Sequence, residues 1–319
     1  MGGEGKGEHL ENCFPTCHAS CPNGLIGSSR IAQLVKEETW DWRSFRGLQN
    51  AGVSPFLKWA GGKNRLVEYM KVPARFRTYH EPFLGGGAVF FALQPRSAFL
   101  SDVNDELTNA FRVVRESVEK LISVLKEASG EVTEDDYYEV RDQDPESLDP
   151  VDRAARFIFL NKTCYNGLYR VNREGKFNVP FGRYKAPRIC DAEGLRSASE
   201  ALQHAIVKTR DFHDALKLVE PDDFVYLDPP YVPVSKTSNF TEYTRKSFTW
   251  LDQEALAEAA VKLRDEVRCF VLISNSYQPK VKSLYERLGF RIRHVTAQRV
   301  IGSRASSRGR INELLISNF

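Results

Sequence analysis

The sequence predicts an α/β fold in which a Rossmann-like sheet is interrupted by an inserted segment. Residues 78–93 show a strand, a glycine-rich turn and a helix in succession, which is how a Rossmann-like unit begins. A second apolar run, Phe224–Leu227, leads directly into Asp228-Pro-Pro-Tyr231, and open α/β sheets bind ligands at such strand ends. From Arg112 to about residue 204, strands and helices stop alternating, which indicates an insertion.

Composition and charge limit the classes of protein that need considering. A chain of 319 residues with 42% apolar residues buries a large core and suits one large domain with an insert. The net charge of +3 permits nucleic acid as a partner without requiring it. No apolar run approaches the roughly 20 residues of a membrane span, and no signal sequence is evident. Scattered cysteines favour a reduced, cytoplasmic protein.

Residues 1–53 differ in composition from the rest of the chain, being rich in Gly, Ser, Asn and Glu. They hold a cluster of candidate metal ligands: His9, Cys13, Cys17, His18 and Cys21. Cys/His clusters bind zinc or iron-sulfur centres, but no second ligand pair with a usual spacing follows. The composition therefore favours a disordered extension, and we predict no metal.

Residues 54–111 are predicted to form the first part of a catalytic domain. Gly61-Gly-Lys63 is similar to a phosphate loop, but Leu57 and Asn64 stand where that loop needs Gly and Ser or Thr. We therefore exclude a nucleoside triphosphate loop. Lys63, at the start of a helix predicted over Arg65–Met70, is suited to pair with a ligand carboxylate. Trp59 is suited to stack on a purine. The alternative is a glycine turn with a solvated lysine and a core tryptophan.

The next turn, Gly85-Gly-Gly87, lets a ligand approach the backbone beside a helix N-terminus. Phe90 replaces the last glycine of G-x-G-x-x-G, which disfavours a dinucleotide. Strand Ala98–Asp102 ends in an acid 17 residues after Gly85, near the spacing of about 20 that is typical of a ribose-binding acid. The alternative role for Asp102 is to cap a helix predicted over Glu106–Val114.

The insert, residues 112–204, carries a strong concentration of positive charge. Its predicted elements are helices Glu116–Ala128, Glu134–Arg141 and Val151–Leu160, and a hairpin over Val171–Pro180 that turns at Glu174-Gly175. Within 161–188, Glu174 is the only acid, against Lys162, Arg170, Arg173, Lys176, Arg183, Lys185 and Arg188, with aromatic residues interleaved. Cations and flat rings together favour a nucleic-acid surface, and the alternative is a solvated basic hairpin.

The α/β pattern resumes over 205–319, the second part of the catalytic domain. The predicted elements are strands Ala205–Thr209, Phe224–Leu227, Cys269–Ile273, Phe290–Ala297 and Ile311–Ser317, and helices Asp252–Glu266 and Val281–Leu288. Asp228 and the Pro229 carbonyl are acceptors, and Tyr231 offers a flat ring, so together they suit a planar ring with an exocyclic amino group. The alternative is a strand followed by a proline turn.

Four stretches coincide with one family: Phe56–Lys63, Glu81–Gly87, Tyr165–Arg170 with Phe177–Lys185, and Asp228–Tyr231. From about Ser54 to the C-terminus the chain resembles the Dam-type DNA adenine methyltransferases that act on GATC. The 161–188 segment is the most diagnostic part, because Asp-Pro-Pro-Tyr is shared among amino-methyltransferases. The resemblance implies S-adenosylmethionine as cofactor and a flipped adenine in double-stranded DNA as substrate. It also implies a nucleoid-associated monomer.

The resemblance assigns roles to particular positions. The catalytic residues would be Asp228, Pro229 and Tyr231, and the cofactor contacts would be Trp59, Lys63, Glu81, Phe83, Gly85, Asp102 and Asp228. The DNA contacts would be Lys58, Tyr165, Asn166, Arg170 and Pro180. Within these sets, Lys58 would reach a guanine, Tyr165 would wedge into the duplex, and Tyr231 would stack on the extruded base.

Other functions remain open at this point. Asp-Pro-Pro-Tyr also suits methyl transfer to DNA cytosine, RNA adenine or a protein glutamine, although the basic hairpin favours duplex DNA. A DNA-binding module without catalysis is a further alternative, which the intact Asp228 and glycine turn disfavour.

Overall fold

The computed structural model describes residues 39–41, 53–231, 248–298 and 310–319. Its strands are β1 (Thr39–Asp41), β2 (Lys71–Pro73), β3 (Tyr79–Glu81), β4 (Ala98–Asp102), β5 (Ala205–Thr209), β6 (Phe224–Leu227), β7 (Phe270–Ser276), β8 (Arg291–Gln298) and β9 (Arg310–Ser317). Its α-helices are α1 (Ala88–Leu93), α2 (Asp105–Glu116), α3 (Val118–Glu127), α4 (Glu134–Asp142), α5 (Pro150–Thr163), α6 (Ala192–Leu202), α7 (Phe212–Leu216), α8 (Trp250–Lys262) and α9 (Pro279–Arg287).

The main sheet has the strand order β5-β4-β3-β6-β7-β9-β8. Strands β5, β4, β3, β6 and β7 are parallel, whereas β9 is antiparallel to both of its neighbours. From β3 the chain builds outward through β4 and β5, and it then returns to add β6 and β7 on the other side. The strand order therefore reverses between β3 and β6, which is where α/β sheets bind ligands. The predicted α/β class with a parallel-rich sheet is confirmed.

Continuous apolar runs explain why the central strands form. All four residues of β6 are buried, as expected for a parallel strand covered on both faces. Because side chains alternate along a strand, Tyr226 joins the apolar cluster on one face while Val225 and Leu227 join the cluster on the other. The predicted strands Ala98–Asp102, Ala205–Thr209 and Phe224–Leu227 agree with the structure residue for residue.

One local prediction is wrong. The structure shows only a short 3₁₀ turn, Val67–Tyr69, where a helix was predicted over Arg65–Met70, so Lys63 does not lie at the start of an α-helix. Met70 is already extended, with φ −75° and ψ 140°, because β2 begins at the next residue.

The residues between β4 and β5 form α2 to α6 and an irregular segment that contains the predicted hairpin. Val171 bridges Phe177, and the Gly175 amide donates to the Asn172 carbonyl at the turn. Buried side chains of this region, including Tyr137 and Phe157, belong to the same apolar cluster as sheet residues. The boundaries at 53, 111 and 204 stay predictions.

The N-terminal extension lies mostly outside the described residues, and so do Cys13, Cys17 and Cys21. Within it, β1 pairs antiparallel with β2. Among the described residues, no helix is long and apolar enough to cross a membrane.

Candidate active site

Three carboxylates lie at the carboxyl edge of the sheet, around the point where the strand order reverses. Glu81 ends β3, Asp102 ends β4, and Asp228 directly follows β6. The three strands are neighbours and parallel, so their ends meet at one edge. The sequence-predicted acids are therefore brought together by the topology of the sheet.

The Asp228 carboxylate has a partner on each oxygen. Lys63 Nζ lies 2.8 Å from Oδ2, and Ser274 Oγ donates to Oδ1 at 2.8 Å. The Lys63 side chain is only 6% exposed and Asp228 is 20% exposed, so the ion pair is shielded from water. Lys63 also donates to the Gly61 carbonyl at 2.7 Å. The structure thus pairs Lys63 with the carboxylate of the Asp-Pro-Pro-Tyr motif, and its predicted contact with a cofactor stays a prediction.

Tyr231 is fixed beside this ion pair. Its hydroxyl donates to Glu313 Oε2 at 2.7 Å, and its ring centroid lies 5.0 Å from Lys63 Nζ. Burial and the nearby carboxylates of Asp228 and Glu313 raise the pKa of Tyr231, so the phenol stays protonated and donates. Pro229, between the two motif side chains, is buried.

The glycine turn encloses Asp102. The backbone N–H of Gly85 donates to Asp102 Oδ2 and that of Asn104 donates to Oδ1, each at 3.0 Å. Burial nevertheless raises the pKa of Asp102. Asn104, and not Asp102, caps α2 by accepting from the Leu107 N–H, so the alternative capping role for Asp102 is wrong.

Trp59 packs directly on this turn. A Cβ at Gly85 would lie 2.9 Å from Trp59 Cδ1, and the indole stacks on Tyr169 with ring centroids 5.7 Å apart. Trp59 therefore connects the glycine turn to the segment after α5. Whether it also contacts a purine stays a prediction.

Glu81 and Phe83 lie in apolar surroundings. Glu81 accepts from the Tyr79 hydroxyl at 2.9 Å, and burial raises the pKa of Glu81 to about 8. Phe83 packs against Phe212 and Phe248, with centroid distances of 5.4 and 6.2 Å. Both residues thus line the same sheet edge as Asp102, and their contact with a cofactor stays a prediction.

Lys58 is held in place by the end of α5 and the segment that follows it. Its backbone N–H donates to Asn161 Oδ1 at 2.8 Å, and Asn161 Nδ2 donates to the Lys58 carbonyl at 2.7 Å. Gly167, at φ +61°, lets the Lys58 side chain cross its backbone, because a Cβ there would lie 2.6 Å from Lys58 Cβ. The ammonium group lies 4.5 Å from the ring centroid of Tyr184.

The other residues predicted to contact DNA belong to the segment that begins at the end of α5. Tyr165 is 42% exposed, and its N–H donates to the carbonyl of Pro180 at 2.9 Å. The backbone of Asn166 lies in the left-handed region, with φ 55°. Arg170 is exposed and donates through Nε to Asn178 Oδ1 at 2.7 Å. Tyr165 and Pro180 are therefore adjacent, and Asn178 orients the guanidinium of Arg170.

The sequence analysis missed four polar side chains that support these residues: Tyr226, Ser274, Glu313 and Asn161. Ser274, Glu313 and Asn161 lie at the edges of apolar runs in β7, β9 and α5, and they are buried. A buried polar residue needs a hydrogen-bond partner. Their partners lie 46, 82 and 103 residues away in the sequence, so no local pattern identifies these three residues.

The fold and the site together define a class. A mixed α/β sheet, a glycine turn with strand-end acids, and Asp-Pro-Pro-Tyr at the point of strand reversal are features of an amino-methyltransferase. Residues 59–301 match the D12 class N6 adenine-specific DNA methyltransferase family, and the chain belongs to that family. It is therefore an adenine-specific DNA methyltransferase, as the resemblance to Dam-type enzymes predicts.

Curated relatives cover most of the chain. A type II methyltransferase of Lactococcus lactis subsp. cremoris, M1.LlaDCHI, is 40% identical over 275 residues, which cover 84% of this chain and 96% of the relative. The type II methyltransferase M.MjaIII of Methanocaldococcus jannaschii is 42% identical over 290 residues, covering 84% and 99%. The DNA adenine methylase of Escherichia coli strain K12 is 37% identical over 264 residues, covering 82% and 93%.

Proposed function

We propose that this enzyme uses S-adenosylmethionine to methylate the N6 amino group of adenine in GATC, on a base rotated out of duplex DNA. The observation that carries the proposal is the Asp228 carboxylate, held on both oxygens at the sheet edge beside Pro229 and Tyr231. A methyltransferase needs a methyl donor, and the polar groups at this edge fit S-adenosylmethionine.

Asp102 would bind the ribose of that donor. Its carboxylate accepts one backbone N–H on each oxygen, which leaves acceptor capacity for hydroxyl groups. Trp59, Phe83, Gly85 and Glu81 would line the remainder of the pocket. When bound, S-adenosylmethionine supplies an electrophilic methyl group on a sulfonium sulfur.

Asp228 and the Pro229 carbonyl would accept the two hydrogens of the adenine amino group. The lone pair of that nitrogen is delocalised into the ring, so two acceptors favour a pyramidal nitrogen whose lone pair is free to react. Tyr231 would stack on the base, and its hydroxyl bond to Glu313 holds the ring in one position. Extruding a base costs a few kcal/mol, which stacking and pocket hydrogen bonds offset. The residues thus contribute positioning and electrostatics.

Residues 112–204 would recognise the target sequence. Lys58, fixed by Asn161, would reach a guanine, while Tyr165 would fill the space left by the extruded adenine. Asn166 and Pro180 would lie against bases of the site. Arg170 would read a guanine through two hydrogen bonds, a contact that discriminates by roughly 1–3 kcal/mol. We further expect a monomer in the cytoplasm, associated with the nucleoid.

The test is to map modified bases on plasmid DNA from a host without adenine methylation that expresses this chain. Methyladenine confined to GATC is expected, and methyladenine at another sequence would contradict the proposed target.

Arg170→Ala should relax the sequence preference, because the variant lacks the guanidinium that would discriminate a guanine. Arg96→Ala, an exposed arginine outside residues 112–204, is the matched control. An Arg170→Ala enzyme with unchanged preference would exclude Arg170 as a base-reading residue.

A further inference from the structure

We propose that Tyr226 and Ser274 are positioning residues for methyl transfer, forming a buried hydrogen-bond chain that fixes the Asp228 carboxylate through Oδ1. The inference rests on the proposed role of Asp228 as acceptor of the adenine amino group. It adds two residues, neither in the Asp-Pro-Pro-Tyr motif, that act through Asp228 and do not touch the substrate.

The register of two adjacent strands creates this arrangement. Tyr226 pairs with Leu272, and Leu227 pairs with Ile273, across the parallel strands β6 and β7. The next position along each strand is Asp228 and Ser274, so these two residues are lateral neighbours. Tyr226 lies two residues before Asp228, and side chains two apart project from the same face of a strand. One face at the end of two strands therefore carries the phenol, the hydroxyl and the carboxylate.

The direction of the chain follows from counting protons. Ser274 Oγ has one hydrogen, which it donates to Asp228 Oδ1 at 2.8 Å. The 2.8 Å contact between Tyr226 Oη and Ser274 Oγ must then have the tyrosine as donor. Burial and the negative charge of Asp228 raise the pKa of Tyr226 well above its ordinary value, so the phenol keeps its proton. Both hydroxyl groups thus point their hydrogens towards Asp228.

The hydrogen-bond chain fixes the position of the Asp228 carboxylate. The carboxylate is anchored from the sheet by Ser274 at Oδ1 and from the loop by Lys63 at Oδ2. Tyr226 and Ser274 are 1% and 0% exposed, so water does not compete for their hydrogen bonds. Without the anchor at Oδ1, the carboxylate is held only through Oδ2 and can turn about its last bond. A displacement of about 1 Å at an acceptor is enough to slow a reaction by about a hundredfold.

The experiment measures single-turnover methylation of a duplex with one GATC site by Ser274→Ala, Tyr226→Phe and the double variant. Ser274→Ala should lower the rate by about tenfold to a hundredfold, and Tyr226→Phe by about threefold to tenfold. Because Tyr226 acts through Ser274, the double variant should stay within about twofold of Ser274→Ala. The KM for DNA and the cofactor Kd should stay near wild type, which a general structural defect would not allow.

A matched control exists on the opposite face of the sheet. Tyr285 is also fully buried, and its hydroxyl accepts from Gln253 at 2.9 Å. Tyr285→Phe removes a comparable hydrogen bond from that face and should leave the rate unchanged. Melting temperatures of all variants show whether any of them fails to fold, and Tyr226→Phe, which keeps the ring, tests the chain if Ser274→Ala does not fold.

Asp228→Ala, which removes the acceptor, separates failure of this inference from failure of the proposed function. If Asp228→Ala keeps the wild-type rate, the role of Asp228 as acceptor is wrong, and the inference that depends on it is wrong too. If Asp228→Ala is inactive but Ser274→Ala and Tyr226→Phe react at the wild-type rate, only the positioning chain is overturned. Fully additive losses in the double variant would also overturn it, because Tyr226 would then act independently of Ser274.

Discussion

The three carboxylates at the sheet edge have different surroundings, and these set the charge that each can carry. Asp228 has an ammonium group and a hydroxyl as partners, and Asp102 has two backbone N–H donors. Glu81 is 2% exposed, and its only described side-chain donor is the Tyr79 phenol. That phenol and the backbone N–H of Phe90 are both neutral donors, and they compensate burial less well than an ion pair does. Glu81 is therefore the acid that favours its protonated form.

This difference predicts a pH-dependent stability for Glu81→Gln. The pKa of Glu81 is raised from 4.5 to about 8 in the folded protein. Its contribution to stability is thus fully present below about pH 4.5 and is lost as the pH rises towards 8, since the unfolded state ionises first. Glutamine never ionises, so the melting temperature of Glu81→Gln relative to wild type should rise between about pH 5 and 8, reflecting roughly a few kcal/mol.

Thermal unfolding at several pH values measures this trend. Glu131→Gln, at an exposed position, is the control, and its melting temperature should change with pH as that of the wild type does. A constant difference in melting temperature between Glu81→Gln and wild type would show that Glu81 titrates alike in the folded and unfolded states.

Among the elements, the turn between β3 and α1 has the least tolerance for change. Gly85 has φ +48°, and an added Cβ would lie 2.9 Å from the indole of Trp59, which itself stacks on Tyr169. Gly85→Ala should therefore combine backbone strain with overpacking and lower the free energy of unfolding by roughly 2–4 kcal/mol. It should also weaken cofactor binding, because the turn must move away from Trp59.

Gly130→Ala is the matched control for this substitution. Gly130 follows α3, and an added Cβ would meet nothing within 4 Å. Denaturant unfolding and cofactor titration of both variants measure the two effects. Equal free energies of unfolding for Gly85→Ala and Gly130→Ala would show that Trp59 moves aside without loss of stability.

The elements also show what the sequence was able to predict. Strands β4, β5 and β6 were predicted residue for residue, since apolar runs that end in an acid or a turn are local signals. The acids Asp102 and Asp228 were identified for the same reason. Ser274 was missed, because its importance depends on the register between β6 and β7, which no local pattern encodes. Likewise, Glu313 reaches Tyr231 across 82 residues of sequence.

For the molecule as a whole, long-range contacts connect the proposed catalytic edge to the proposed DNA-reading segment. Asn161 and Lys58, which are 103 residues apart, exchange two hydrogen bonds. Trp59, the next residue, contacts both the glycine turn and Tyr169. The short stretch that precedes β2 is therefore packed between the proposed cofactor pocket and the segment proposed to read DNA, and it provides a direct physical link between the two.

Two truncations test how much of the chain this assembly needs. The family match begins at residue 59, so enzymes that lack residues 1–37 or 1–52 should both methylate adenine. The longer deletion removes β1, whose backbone pairs with β2 over Thr39–Asp41. Losing that pair should cost roughly 1 kcal/mol and lower the melting temperature by about 2–4 °C, whereas removing residues 1–37 should not.

Methylation assays and thermal melts of the full chain and both truncated enzymes, with and without a chelator, separate these effects. Loss of activity on removing residues 1–37, together with chelator-sensitive activity of the full chain, would contradict the prediction. That result would assign a metal to Cys13, Cys17 and Cys21, the cluster for which we predict none. Equal melting temperatures for the two truncated enzymes would instead show that the β1–β2 pair adds nothing to the stability of the catalytic sheet.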